Sequence, residues 1–210
     1  MSPQGRFISF EGIDGSGKST QARLLADRLR LAGQTVVLTR EPGGSTGAEE
    51  IRRLVLEGDP DRWSAETEIL LFTAARRDHL EKTIRPSLAT GAVVITDRFA
   101  DSTRIYQGIT RGDLRGKVDA LHDLMIGVEP DLTILIDIDP ATGLARAVAR
   151  SGDELRFEDM GVEVQRQMRT GFLALAAKTP RIAVIAGAGT AQDVAELVWA
   201  RVSAHLGLPQ

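Results

Sequence analysis

A glycine-rich stretch near the N-terminus combines residues that could bind phosphate. Gly12, Gly17, Lys18 and Ser19 match the pattern G-x-x-x-x-G-K-[ST], and Gly15 lies inside the gap. Glycines let successive backbone N–H groups approach an anion, and a helix that begins there adds the positive end of its dipole. A lysine in this pattern reaches the β- and γ-phosphates, and the serine hydroxyl holds Mg²⁺. The stretch therefore predicts a site for a nucleoside triphosphate.

A tight turn before a helix is the alternative interpretation of this stretch, and its surroundings decide between the two. The apolar run Arg6–Phe10 precedes it and predicts a strand. After it, apolar residues recur at the three- or four-residue spacing of a helix face, at Ala22, Leu25, Leu29 and Ala32. The order of strand, glycine loop and helix is the context that a phosphate loop requires.

Charged residues follow two further apolar runs. Asp97 and Arg98 come at the end of "AVVIT", where a carboxylate beside a phosphate loop can hold Mg²⁺ or its waters. The planar fork of Arg98 suits a phosphate group, and Arg40, in "TREPGG", is a second candidate. The alternatives are a surface ion pair for the first stretch and a simple turn for the second.

Three other stretches contain residues that could act on a nucleotide. Phe72 and Arg76 are four residues apart in a helical pattern, so they share a face and could stack on a base and bond its edge. Phe72 could equally be core and Arg76 surface. "STRIYQG" is polar and follows a strand, and a plain loop is its simplest interpretation. "ARSGDELRFED", with Arg150 and Arg156, is either a lid or a solvated loop.

The elements that must position these residues alternate along the chain. Apolar runs rich in β-branched residues predict strands, and helical patterns separate them. This order predicts an α/β fold with a doubly wound, five-stranded parallel sheet flanked by helices, in a single domain over 1–210 with a lid at about 150–160. Ligands of such folds bind at the carboxyl ends of the strands. The predicted strands are Arg6–Phe10, Thr35–Thr39, Ala92–Thr96, Leu132–Asp137 and Ile182–Ala186. The predicted helices are Gly17–Leu31, Gly47–Leu56, Ala65–Leu88, Gly112–Ile126, Pro140–Arg150, Val162–Lys178 and Ala191–His205.

Composition excludes several classes of protein. The 210 residues carry a net charge of −3, which disfavours nucleic-acid binding, and the absence of cysteine excludes disulfides and thiolate metal sites. No apolar run approaches the roughly 20 residues of a membrane helix. We expect a cytoplasmic protein with no membrane or nucleic-acid partner. A GTPase switch is disfavoured because its N-K-x-D motif needs asparagine, which this chain lacks.

Taken together, the motifs resemble those of the bacterial thymidylate kinases. "FEGIDGSGKST", "TREPGG", "DRF.DST..YQG" and "PDLTILIDI.P..GL.R" occur in that family's order and spacing over nearly the whole chain. The resemblance implies a P-loop kinase that transfers the γ-phosphate of ATP to dTMP, uses Mg²⁺ and forms a homodimer. Another pyrimidine nucleoside monophosphate kinase is the alternative, because uracil and thymine share their hydrogen-bonding edge.

The resemblance also implies roles for individual residues. Arg98 grips the dTMP phosphate with Arg40 nearby, and Asp14 faces the sugar and phosphate. Phe72 stacks on thymine and Arg76 bonds its edge. The remaining roles are as follows: Thr103 lies near the base, Tyr106 crowds the 2′ side of the sugar, Ser19 and Asp97 serve Mg²⁺, and Gly12, Ile13, Asp14, Gly15, Ser16, Gly17, Lys18, Ser19 and Thr20 form the ATP loop.

Some family members carry a basic residue inside the phosphate loop, where this chain has Gly15. Members without that residue supply arginines from the lid, and Arg150 and Arg156 fit that role by resemblance. Transfer of a phosphoryl group spreads negative charge that an arginine can stabilise, so Lys18, Arg98 and these two arginines are the predicted catalytic residues. The resemblance further predicts a cis peptide bond before Pro42.

Overall fold

A computed structural model of the protein describes residues 5–59, 62–110, 112–149 and 161–208. Its strands form one parallel sheet in the order β2-β3-β1-β4-β5, which confirms the predicted doubly wound α/β fold. The first strand is central, and the chain winds outward from it on both sides, so a topological switch point lies beside its carboxyl end. The strands are β1 (Arg6–Glu11), β2 (Val36–Arg40), β3 (Val93–Asp97), β4 (Leu132–Asp137) and β5 (Ile182–Ala186).

Helices cover both faces of the sheet. They are α1 (Lys18–Leu31), α2 (Thr46–Leu56), α3 (Ala65–His79), α4 (Arg85–Ala89), α5 (Ala100–Tyr106), α6 (Arg115–Met125), α7 (Pro140–Ala149), α8 (Gly161–Ala176) and α9 (Ala191–Leu206), with a π-helical segment at Leu80–Ile84. Both faces of β1 are consequently buried: Ile8 and Phe10 pack with α1 and α9, while Phe7 packs on the opposite face. This two-sided burial explains why the strands read as continuous apolar runs rather than alternating ones.

Two segments differ from the sequence-based prediction. The single helix predicted over Ala65–Leu88 widens into the π-helical segment before α4, where Pro86 has no N–H to donate to the preceding turn. The stretch after Arg98, interpreted as a polar loop, is α5, and every residue of this helix is buried. The functional consequence is that Thr103 and Tyr106 are held on a packed helix rather than on a mobile loop.

The described residues also bear on two other expectations. Among their helices, none combines the length and the apolar composition needed to cross a bilayer. The proposed lid at 150–160, with Arg150 and Arg156, lies outside the described residues.

Candidate active site

The phosphate loop connects the end of β1 to the start of α1, as the sequence predicts. Lys18 is buried, and its Nζ donates a hydrogen bond to the carbonyl of Ile13 at 2.7 Å and lies 3.4 Å from Ser16 Oγ. Burial and, next, the nearby charge of Arg98 lower the pKa of Lys18 to about 8. A phosphate group, which stabilises the charged amine, would replace the loop carbonyl as its partner.

Gly15 brings the phosphate loop into close contact with α7. Its φ is +72°, and a Cβ atom built there would lie 1.9 Å from the carbonyl oxygen of Gly143. A Cβ atom on Gly143 would in turn lie 2.8 Å from the carbonyl oxygen of Asp14. Any side chain at either glycine would force the loop and the helix apart, so these backbones touch because both residues are glycine.

Ser19 and Asp97 form a pair of oxygen ligands beside the loop. The Ser19 hydroxyl donates a hydrogen bond to Asp97 Oδ2, across from the end of β1. Asp97 Oδ1 is buried, and no hydrogen-bond partner for it exists among the described residues. Carboxylate and hydroxyl oxygens suit Mg²⁺, and an unpartnered buried carboxylate oxygen is costly unless something binds it. The two residues therefore fit a magnesium site.

Arg98 is the centre of a polar cluster that joins β3, α5 and the phosphate loop. Its Nη2 donates to Asp14 Oδ1 at 2.5 Å and to Tyr106 Oη at 3.0 Å. Its Nη1 donates to Ser102 Oγ at 3.0 Å and lies 3.4 Å from the Gly12 carbonyl. The structure thus brings together three residues from separate sequence motifs. We name Arg98, Asp14 and Tyr106 the acceptor cluster.

Electrostatics keep the acceptor cluster in one charge state. Burial acts against the charge on Arg98, but Tyr106 and Asp14 raise its pKa above the ordinary value. Burial likewise acts to raise the pKa of Asp14, yet Arg98 and Lys18 lower it overall. Burial raises the pKa of Tyr106 well above its usual range, so the phenol keeps its proton. A fixed cation, a fixed anion and a neutral phenol therefore face one another beside Lys18.

Gln165 completes this cluster, and sequence reasoning missed it. It lies on α8, fully buried, and its Nε2 donates to Asp14 Oδ2 at 3.2 Å. The Asp14 backbone N–H donates back to Gln165 Oε1 at 3.3 Å. The available signal was weak: Gln165 is the polar member of a helix face whose other buried members are Met168 and Phe172.

Glu11, the last residue of β1, is the second residue for which the sequence suggested no role. Its side chain is buried and accepts hydrogen bonds from the Phe99 backbone N–H at 2.8 Å and from the Ser102 hydroxyl at 2.6 Å. Burial and, next, the neighbouring carboxylate of Asp101 raise the pKa of Glu11 to about 7. It thus links the end of β1 to the start of α5, directly after Arg98.

Arg76 defines a second part of the site, on α3. Its Nε donates to Glu41 Oε2 at 2.7 Å, and its Nη2 donates to Thr103 Oγ1 at 3.0 Å and to the Phe99 carbonyl at 3.2 Å. Its guanidinium lies 5.2 Å from the centre of the Phe99 ring, while Phe72, one turn earlier, is buried. The structure therefore joins Arg76 and Thr103 directly.

Glu41, which binds Arg76 directly, is also part of a buried chain of polar groups. Its other oxygen, Oε1, lies 3.0 Å from His79 Nδ1, and His79 Nε2 lies 2.8 Å from Thr39 Oγ1. Both carboxylate oxygens of Glu41 are thereby occupied. The peptide bond between Glu41 and Pro42 is cis, as predicted.

Two arginines lie apart from these groups. Arg40, at the exposed end of β2, pairs with Glu49 at 3.2 Å and contacts none of the acceptor cluster among its described hydrogen bonds. Arg104 is buried on α5, where its guanidinium pairs with acidic side chains. Those partners are Asp101, Asp119 and Glu129.

Comparison with known proteins gives a single consistent result. A family model described as thymidylate kinase matches residues 10–198. The chain is 69% identical to a thymidylate kinase of Ruegeria pomeroyi and 63% identical to one of Dinoroseobacter shibae, with 98% of each chain covered in both cases. A crystal structure of thymidylate kinase from Ehrlichia chaffeensis superposes with a TM-score of 0.78 at 39% identity, covering 96% of this chain and 99% of that one.

Proposed function

This chain belongs to the thymidylate kinase family, and on that premise we propose that it transfers the γ-phosphate of ATP to dTMP, giving dTDP and ADP. The observation that carries the proposal is the acceptor cluster beside Lys18. It supplies a fixed guanidinium for a second phosphate next to a loop that suits the first. Two phosphate sites side by side are what a phosphoryl transfer between nucleotides requires.

The donor side of the proposal is the phosphate loop. The backbone N–H groups of residues 12–20 and the Nζ of Lys18 bind the phosphates of ATP. Ser19 and Asp97 would hold Mg²⁺, which neutralises charge on the phosphate oxygens. Arg98 and Lys18 contribute the protein's own positive charge.

The acceptor side of the proposal uses the remaining predicted residues. Arg98 binds the phosphate of dTMP, while Asp14 and Tyr106 bind its sugar. Arg76 and Thr103 bond the edge of thymine, and Phe72 supplies the stacking surface. The burial of Arg76, held at 2.7 Å by Glu41, supports this role, because a fixed donor pair selects one base edge.

Arg40 keeps its proposed place as a second phosphate ligand. Its partner Glu49 is exposed, with 43% of its side chain accessible, and an exposed ion pair contributes little free energy. Breaking this pair to bind a phosphate is therefore a small cost.

The reaction needs no covalent enzyme intermediate. An oxygen of the dTMP phosphate attacks the γ-phosphorus of ATP, the bond to the bridging oxygen breaks, and ADP leaves with that electron pair. The acceptor phosphate is already ionised at neutral pH, so no general base is required. The protein contributes positioning and charge stabilisation, which are the usual means of phosphoryl-transfer enzymes.

Three further parts of the proposal rest on the sequence and the family. Arg150 and Arg156 act from a lid at about 150–160 of a single domain, and the enzyme works in the cytoplasm, where ATP is available. It forms a homodimer through helices: α2, α3 and α6 each expose a large apolar side chain, at Leu54, Leu70 and Leu124. Sedimentation equilibrium of the purified chain tests the dimer.

A coupled assay of ADP release tests the function. We expect dTMP to be the best acceptor among dTMP, dUMP, dCMP, UMP and dGMP, with dUMP weaker because it lacks the methyl group that would fill the base site. Lys18→Ala is the control that removes the loop cation and should abolish turnover. Equal turnover of dGMP and dTMP would overturn the proposal, and preference for dUMP would favour a different pyrimidine kinase.

A further inference from the structure

Glu11 has no part in the chemistry described so far, although it is a buried carboxylate at the end of the central strand. Only 1% of its surface is exposed. Both of its oxygens are used, one by the Phe99 backbone and one by Ser102. Burying a carboxylate is costly unless its partners offset the lost solvation, so these two hydrogen bonds stabilise Glu11 in its buried position.

The first contact concerns the backbone of Arg98. Its φ is +71°, in the left-handed region that residues other than glycine seldom adopt. Such a conformation persists only when the surrounding structure enforces it. The Arg98 N–H donates to the Phe10 carbonyl at 2.9 Å, and the next N–H, of Phe99, donates to Glu11 Oε1 at 2.8 Å. Two consecutive residues of β1, Phe10 and Glu11, therefore bind the two N–H groups that flank the Cα atom of Arg98.

The second contact concerns the side chain of Arg98. Glu11 Oε2 accepts the Ser102 hydroxyl hydrogen at 2.6 Å, which leaves the lone pairs of Ser102 Oγ facing Arg98 Nη1 at 3.0 Å. The other terminal nitrogen of Arg98 is then directed at Asp14. Glu11 thus fixes the backbone conformation from which the Arg98 side chain extends and the direction in which its guanidinium donates hydrogen bonds.

We infer that Glu11 is a positioning residue for phosphoryl transfer, acting on the acceptor phosphate through the backbone and the guanidinium of Arg98. The inference rests on the proposed function, in which Arg98 binds that phosphate. A group that must be held to a fraction of an ångström for catalysis needs such support, since small misplacements of a binding group slow a reaction strongly.

A double-mutant cycle between Glu11 and Arg98 tests the inference. Glu11→Gln keeps the size of the side chain but replaces one of its two oxygens, each of which accepts a hydrogen bond, with an amide nitrogen that can only donate. We expect kcat/KM for dTMP to fall by about 10- to 100-fold, while the KM for ATP changes by less than about twofold. Ser102→Ala breaks only the side-chain link and should give a smaller loss.

The combination of variants separates positioning from simple stabilisation of the fold. In an Arg98→Ala background, Glu11→Gln should lower kcat/KM by less than about threefold further, because its target is gone. Independent, multiplicative losses would overturn the inference, as would a normal kcat/KM for Glu11→Gln alone. Glu196→Gln, at an exposed glutamate paired with Arg28 on the opposite face, is the matched control and should leave kinetics unchanged.

A crystal structure of Glu11→Gln keeps this test separate from the proposed function. We expect Arg98 to leave the left-handed region or its side chain to turn from Asp14. An unchanged Arg98 would overturn the inference even if dTMP is the substrate. If the wild-type chain does not phosphorylate dTMP, the proposed function fails, and the conformation of Arg98 in the variant still decides the role of Glu11.

Discussion

The guanidinium of Arg98 lies 2.5 Å from the carboxylate of Asp14, and this ion pair joins the end of β3 to the middle of the phosphate loop. The donor and acceptor sides of the proposed reaction therefore share a direct contact within the protein. In the proposed function, a dTMP phosphate on Arg98 would therefore lie close to the loop that would hold ATP. The pair is partly open to solvent, with 21% and 14% of the two side chains exposed, so a phosphate can reach it.

Arg98→Lys keeps the charge of this group but removes its planar fork. A lysine cannot contact Asp14, Tyr106 and a phosphate together, so we expect kcat/KM for dTMP to fall by about tenfold or more. Steady-state kinetics with dTMP varied at saturating ATP measure the effect. Arg28→Lys, at an exposed arginine paired with Glu196, is the control and should behave as the wild type. An unchanged catalytic efficiency in Arg98→Lys would exclude the phosphate-binding role.

Gln165→Leu removes both hydrogen bonds that orient Asp14 from α8 and keeps the volume of the side chain. We expect the KM for dTMP to rise by roughly five- to tenfold, because one orienting hydrogen bond to a charged group contributes on the order of 1–2 kcal/mol. The KM for ATP and the far-ultraviolet circular dichroism should stay close to those of the wild type. Gln192→Leu, at an exposed glutamine of α9, is the control. Equal changes in the two variants would contradict the assignment.

Glu41→Gln breaks a buried ion pair in which both side chains are only 4% exposed. Arg76 is then left charged and incompletely paired, so we expect the free energy of unfolding to fall by about 3–5 kcal/mol. Urea unfolding at constant pH measures this value. The same substitution at Glu49, which pairs with Arg40 at the surface, should change stability by less than about 1 kcal/mol. A loss of less than about 1 kcal/mol in Glu41→Gln would show that Arg76 does not depend on Glu41.

Stability should depend on pH through Glu11. Burial, followed by the charge of Asp101, raises the pKa of this carboxyl from 4.5 to about 7. Between these values the folded protein holds a proton that the unfolded chain has released, so the contribution of Glu11 to the free energy of unfolding is full below pH 4.5 and is lost as the pH rises through 7.

Glu11→Gln removes this titration, whatever constant offset the substitution adds. The variant should therefore gain stability relative to the wild type as the pH is raised from about 5 to about 8, by roughly 2–3 kcal/mol. Urea unfolding of both proteins at several pH values gives the difference. Parallel stability curves would mean that Glu11 titrates at an ordinary pKa.

The proposed lid arginines, Arg150 and Arg156, should act on the rate of phosphoryl transfer rather than on substrate binding. Alanine at both Arg150 and Arg156 should lower kcat by about 100-fold or more and change the KM values much less, since an arginine finger acts on charge that appears in the transition state. Arg201→Ala, at an exposed position of α9, is the control. If the double variant keeps near-normal kcat, another cation must stabilise the transferring group.

Local patterns were sufficient to predict the sheet and the phosphate loop. The ends of all five strands were predicted to within one residue, because buried parallel strands have a strong apolar signature. The seven residues of α5 could not be recognised as helical, since a short helix buried on all sides shows no periodic polar face. Its burial depends on partners distant in sequence, such as Asp119 and Glu129 around Arg104.

The candidate site was predictable where one residue type performs one task, and not where a residue acts through others. Lys18 and Arg98 are recognisable in the sequence as candidate phosphate ligands, because each is a cation within a short motif at the end of a strand. The role of Glu11 depends on its contacts with Phe99 and Ser102, and that of Gln165 on its contact with Asp14. These partners are distant in sequence, so no local pattern predicts the contacts. Arg76 falls between these cases, since the resemblance places Arg76 and Thr103 near the same base but indicates neither their hydrogen bond nor the contact of Arg76 with Glu41.

The backbone contact between Gly15 and Gly143 bears on how such an enzyme can change during evolution. With a Cβ atom at position 15 placed 1.9 Å from a carbonyl oxygen of α7, an arginine cannot enter the loop by a single substitution. The helix would first have to move, and it is the same helix that leads into the segment with Arg150 and Arg156. If Arg150 and Arg156 act as we propose, moving their charge into the phosphate loop therefore requires a shift of α7 together with the substitution at position 15.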